Sequence, residues 1–301
     1  MRSLYIILMV SSFIPLVISG CSLPEAPPDQ DRGFTIAATF YPLYELTKGI
    51  AGDKAVVYSI ISTQIEPHDY EPKPSDLQKL DSADAFVTVG IGFDELEEEL
   101  IRGANPAVKV IPARSGIVLL QTDESDGGRK GTDPHIWLSP KNAQKMARNI
   151  MDGLILLDPS NRESYLGNGK TIIAKLDALD AEFREGLSAC KKEVVLVNHN
   201  AFAYLARDYG FAIITIHGLE PEAEPTPQQL ANLIQKAEEY DLKYIFYEEL
   251  VDSRTAETIA EEIGAGVLEL NPLEGTDDPA ATYFSLMREN LNNLKIALEC
   301  G

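Results

Sequence analysis

Three histidines occupy positions from which a metal site could be built. His68 lies in Glu66-Pro67-His68-Asp69-Tyr70-Glu71-Pro72, His135 in Asp133-Pro134-His135-Ile136-Trp137-Leu138-Ser139-Pro140, and His199 in Asn198-His199-Asn200. Each follows an apolar, strand-like run at the point where it gives way to a loop or helix. Taken alone, each reads more readily as a surface or hydrogen-bonded histidine. Together they form a set, because ligands of open parallel sheets bind in the crevice beyond the carboxyl ends of the strands. Three neutral imidazoles suit Zn²⁺, with an oxygen ligand or water completing a tetrahedron at about 2 Å. The chain has 4 histidines in all. The remaining one, His217, also follows a strand and is a rival fourth donor.

The elements that must position these residues are legible as alternating strands and helices. Strands are expected at Phe34–Phe40, Ala55–Ile61, Ala85–Gly90 and Val108–Pro112, and again at Val194–Val197, Phe211–Ile216, Tyr244–Tyr247 and Val267–Leu270. They are continuously apolar rather than alternating, which indicates parallel sheets buried on both faces. Helices are expected from Pro42 to Ala51, Pro74 to Ala83, Phe93 to Ala104, Pro140 to Leu157, Ala201 to Tyr209, Pro227 to Asp241, Ser253 to Ile263 and Ala281 to Leu298. Asn200 and Thr226 are candidate helix caps. From Asp158-Pro159 to about Leu187 runs a longer helical segment. Its apolar residues Tyr165, Ile172, Leu176, Leu179, Phe183 and Leu187 fall on one face. The expected architecture is α/β: two Rossmann-like lobes, each a short, mainly parallel sheet flanked by helices, joined by one long connecting helix. The divisions are 1–20, 21–33, 34–157 (first lobe), 158–190 (connecting helix) and 191–301 (second lobe). His68 and His135 come from the first lobe and His199 from the second, so an ion would sit in the cleft between them.

Composition narrows the function. A formal net charge of -21 argues against nucleic acid, whose phosphates need clustered Lys and Arg. The acidic run Glu95–Glu99 reads as a solvated helix face, and the polar, Gly-rich segment 122–131 as a surface loop. Residues 1–20 read as a signal peptide: Arg2 precedes an apolar stretch that falls short of the roughly 20 residues of a spanning helix. The stretch ends in Ile18-Ser19-Gly20-Cys21, a lipobox-like sequence that marks Cys21 for lipidation. Residues 21–33 then form a Pro- and acid-rich lipidated tether. Export permits Cys190 and Cys300 either to form a disulfide or to remain two buried thiols.

Several segments carry a resemblance: Pro67–Asp76 (PHDYEPKPSD), Asp133–Pro140 (DPHIWLSP), Asn198–Gly210 (NHNAFAYLARDYG), Glu220–Thr226 (EPEAEPT) and Leu270–Gly275 (LNPLEG). In this order, and with the lipobox, the chain resembles the zinc/manganese substrate-binding lipoproteins of ABC transporters. The resemblance implies a metal buried between two lobes on His68, His135 and His199, and transfer of the ion to a membrane permease by a lipid-anchored monomer outside the cytoplasm. Two departures stand out. Segment 122–131 lacks the histidines of many zinc members, and Asn271 stands where an aspartate ligand is common. The fourth ligand is therefore left as water, Asn271 or His217. A neutral, imidazole-rich set favours zinc over manganese. The alternatives are a secreted zinc hydrolase, with Glu66 or Glu71 as general base, and a surface adhesin stapled by metal. No HExxH motif supports the hydrolase.

Overall fold

The structure is a computed structural model that describes residues 33–91, 103, 105–122, 131–217 and 225–301. The expected signal peptide, Cys21, the expected tether up to residue 32, all but one residue of the helix expected at 93–104 with its run Glu95–Glu99, and residues 123–130 and 218–224 lie outside the described residues.

Two four-stranded parallel sheets organise the chain. The first contains β1 (Phe34–Ala38), β2 (Ala55–Ser59), β3 (Ala85–Thr88) and β4 (Lys109–Pro112) in the order β2-β1-β3-β4. A two-stranded antiparallel ribbon follows, formed by β5 (Gln121–Thr122) and β6 (Gly131–Thr132). Nothing in the apolar patterning had indicated it. The second sheet contains β7 (Val194–Val197), β8 (Ala212–Thr215), β9 (Tyr244–Tyr247) and β10 (Gly266–Glu269) in the order β10-β9-β7-β8. β3 is buried at all four positions, as a continuously apolar strand between helical layers should be.

The helices take the expected places with shifted ends. They are α1 (Tyr41–Ala51), α2 (Pro74–Asp81), α3 (Pro140–Leu157), α4 (Arg162–Gly186), α5 (Ala203–Tyr209), α6 (Pro227–Glu239), α7 (Arg254–Ile263) and α8 (Tyr283–Ala297). α1 stops at Gly52, whose φ of +59° suits glycine. Thr226 caps α6 by accepting the Gln229 backbone N–H. Asn200 does not cap α5: the helix starts later, at Ala203, with Phe202 in the cap position and no side-chain cap, so that expectation is corrected. The long helical segment begins as a 3₁₀ turn at Pro159–Asn161. It continues as the 25-residue α4, which buries Tyr165, Ile172, Leu176, Leu179 and Phe183. This helix joins the two α/β lobes, and one apolar core runs past it from Ile36 and Trp137 to Phe202 and Tyr283. Cys190 and Cys300 form a disulfide across 110 residues of sequence.

Candidate metal centre

Each histidine is presented by a short turn fixed by a carboxylate. Glu66 accepts the His68 backbone N–H (3.2 Å) at the start of the 3₁₀ turn Pro67–Asp69. Asp133 Oδ1 accepts both the His135 backbone N–H (2.9 Å) and its ring Nδ1–H (2.8 Å). Glu248 Oε1 does the same for His199, at 3.2 Å to the backbone nitrogen and 2.8 Å to Nδ1. A carboxylate only accepts, so each of these two rings carries a proton on Nδ1 and turns Nε2 away from that carboxylate, which leaves Nε2 as the atom a metal would take. These are the carboxylate–histidine pairs that orient ligands in metal sites.

The Nε2 atoms converge. Those of His68 and His135 are 3.3 Å apart, as are those of His135 and His199. The atom that completes the group is Glu274 Oε1, at 3.2 Å from His68 Nε2, 3.0 Å from His135 Nε2 and 3.9 Å from His199 Nε2. Metal–ligand bonds of about 2.0–2.1 Å imply tetrahedral edges of about 3.3–3.4 Å, so these separations fit one zinc-sized ion. His135, His199 and Glu274 are buried and the His68 side chain is 11% exposed. Glu274 lies within the quoted motif Leu270–Gly275, but the expectation had put water, Asn271 or His217 at that place. Asn271 instead gives its amide to Glu249 (2.8 Å) and Glu269 (3.3 Å), and accepts the Leu273 N–H (2.7 Å). His217 is close enough for the charge of His199 to lower its pKa further after burial, but it is outside the four-donor group.

The loop carrying Glu274 is tied to the first lobe through Trp137. The Trp137 indole donates to the Pro272 carbonyl (2.8 Å), and the Tyr283 hydroxyl donates to the Trp137 carbonyl (2.6 Å). Trp137 also meets Phe40 edge-on, with ring centroids 4.7 Å apart.

Electrostatically the site is a buried cluster of acids around imidazoles. Burial alone would lower the pKa of His135, but its hydrogen bonds to Asp133 and Glu274 outweigh that and lift it to about 10. Burial pushes Glu274 upward, and the His68 charge together with hydrogen bonds from His135 and His68 more than offsets it, holding its carboxyl well below the usual range. Glu66 is raised to about 9 by burial and by the Glu274 charge. The adjoining cavity, lined by Glu66, Glu248, Glu249, Asn271 and Glu274, is about 10 Å³ in volume. That is room for a water and none for an organic substrate. Of the two candidate general bases, Glu71 is exposed and Glu66 is committed to the His68 turn.

The family model described as zinc-uptake complex component A, periplasmic, matches residues 36–297. The chain belongs to this family. Among its curated relatives, the high-affinity zinc uptake system protein ZnuA of Bacillus subtilis (strain 168) is 38% identical over 278 residues, covering 87% of each chain. The zinc-binding lipoprotein AdcA of Streptococcus pneumoniae serotype 4 is 36% identical over 302 residues, covering 96% of this chain and 60% of AdcA. The chain thus spans little more than half the length of AdcA. Among solved structures, the Zn(II)-bound ZnuA-like domain of Streptococcus pneumoniae AdcA superposes with a TM-score of 0.77 at 35% identity, over 89% of this chain and all of that one. The family is one of solute-binding receptors.

Proposed function

We propose that this protein captures Zn²⁺ outside the cytoplasm and delivers it to the membrane permease of an ABC importer. The observation that carries the reading is the convergence of three imidazole nitrogens and one carboxylate oxygen, all within 4.8 Å of one another, in a nearly closed site. His68, His135, His199 and Glu274 are the proposed ligands. Three neutral nitrogens and one carboxylate in a tetrahedron favour Zn²⁺ over Mn²⁺, which prefers more oxygen donors and higher coordination. Among the described residues, the cavity that adjoins the donors is about 10 Å³, too small for an organic substrate, which supports capture over catalysis. Anchoring through a lipid on Cys21 is supported by the lipobox-like sequence and by a relative named as a lipoprotein. In this reading the protein works as a monomer whose two lobes both meet the permease.

The test is metal content and competitive Zn²⁺/Mn²⁺ binding on the full chain, beside His199→Ala. One ion per chain, zinc preferred and severely weakened by the substitution, is the expected result. Manganese preference, or zinc binding indifferent to His199, overturns the assignment.

A further inference from the structure

Glu274 reaches the histidines from a loop with few intrinsic reasons to hold its shape. Leu273, the residue before it, has φ of +58°, a left-handed conformation that a branched side chain adopts only when held there. Gly275, the residue after it, packs so tightly on the first lobe that a Cβ would lie 2.2 Å from the Thr63 carbonyl oxygen. The Thr276 N–H donates to that same oxygen at 2.7 Å. The loop therefore bridges the lobes just beside the turn that carries His68. What secures it from its own lobe is Glu249, the neighbour of the His199 partner Glu248. Glu249 Oε2 accepts the Asn271 amide (2.8 Å), and Oε1 accepts the Asp277 N–H (2.9 Å) and the Thr276 hydroxyl (3.3 Å). Asn271 is pinned in turn: Asn290 accepts its N–H (2.8 Å) and donates to its carbonyl (2.7 Å).

We propose that Glu249 is a positioning residue for the metal centre, clasping both ends of the 271–277 loop so that Glu274 is delivered to the ion. The proposal rests on Glu274 being a zinc ligand. Three donors aim at two oxygens, so only a carboxylate satisfies them all. A glutamine would turn an amide N–H₂ toward a donor. Asn271 cannot flip to accept it, because its oxygen already holds the Leu273 N–H. Glu249 lies outside the four-donor group, and its hydrogen bonds are to the loop that carries Glu274, so the proposal routes its effect through Glu274.

The experiment is a double-substitution cycle on the full chain: zinc affinity by chelator competition for Glu249→Gln, Glu274→Gln and the pair. Visible spectra of the Co²⁺-loaded forms are read alongside. Glu249→Gln is expected to weaken zinc about tenfold or more, as partners of ligands do. In the Glu274→Gln background the same change should add less than about twofold, which marks two residues acting as one. The Co²⁺ spectrum of Glu249→Gln should shift toward that of Glu274→Gln, a change that a general loss of stability would not produce. Should Glu249→Gln fail to fold, Thr276→Val removes one of the three donors and is expected to follow the same pattern with a smaller loss. Zinc affinity unchanged in Glu249→Gln while Glu274→Gln is weakened overturns the clasp alone, as does a loss that multiplies in full with that of Glu274→Gln. Unchanged affinity in Glu274→Gln overturns the ligand assignment and the clasp together.

Discussion

At the scale of single residues, the centre is a contest between a proton and a metal ion. His135 is lifted to about 10 by Asp133 and Glu274 despite its burial, so without metal it carries a proton at neutral pH. Zinc needs that Nε2 lone pair and must displace the proton. The sign follows: apparent zinc affinity rises with pH, by about tenfold per pH unit for each proton displaced. Chelator competition between pH 6 and 8 checks it, and a flat profile would show that His135 is neutral in the metal-free form. A second residue-scale expectation concerns Glu248, which accepts both the backbone N–H and the Nδ1–H of His199. Glu248→Ala leaves two buried donors unpaired and frees the ring to rotate. Zinc affinity measured in the same assay should fall about 10- to 100-fold. The histidines could be read from sequence because each falls in a junction beyond a strand: His199 directly after β7, His68 in the loop after β2 and His135 in the segment after β4. Glu274 could not, because its reach depends on the left-handed turn at Leu273 and on the packing of Gly275, which no local pattern records. The available signal was its place after the last strand, four residues beyond Leu270.

At the scale of elements, apolar runs and the 3.6-residue period located every strand of the two parallel sheets and the face of α4. Both patterns are imposed by burial and so leave their mark on composition. What escaped was set by contacts between distant segments: the β5–β6 ribbon, the late start of α5 at Ala203, and the choice between thiols and a disulfide at Cys190 and Cys300. The bridge joins the end of the connecting helix to the chain terminus after α8 and encloses a loop of 110 residues. Loop-closure entropy for such a length gives a stabilisation of about 2–5 kcal/mol. Denaturant unfolding of the Cys190→Ser/Cys300→Ser variant should show a loss of that size with a steeper slope, because the unfolded chain without the bridge is less compact and exposes more surface. Zinc affinity should stay put, since neither cysteine belongs to the four-donor group. A loss of affinity would mean that the disulfide shapes the cleft as well as the fold.

At the scale of the whole molecule, a carrier differs from a metal-stapled protein in one respect: it must keep its fold when the cargo leaves. The core favours this, because its apolar residues run continuously from β1 through Trp137 and α4 to α8, independently of the four donors. The donors are also pre-placed by protein groups, with Asp133, Glu248 and Glu66 each holding a histidine turn without help from an ion. Chelated protein should therefore retain its helical circular dichroism and unfold in a single transition. Restored zinc should raise stability only by mass action, about 2.7 kcal/mol when free zinc is 100 times the dissociation constant. Thermal melts at graded free zinc test this. A melting temperature that climbs with the logarithm of zinc, from a folded metal-free baseline, is the behaviour of a carrier. Loss of one lobe on chelation, seen as a second transition or a drop in helix content, would make the ion a structural staple and remove the basis for delivery, because a protein that unfolds on release has no intact site with which to rebind.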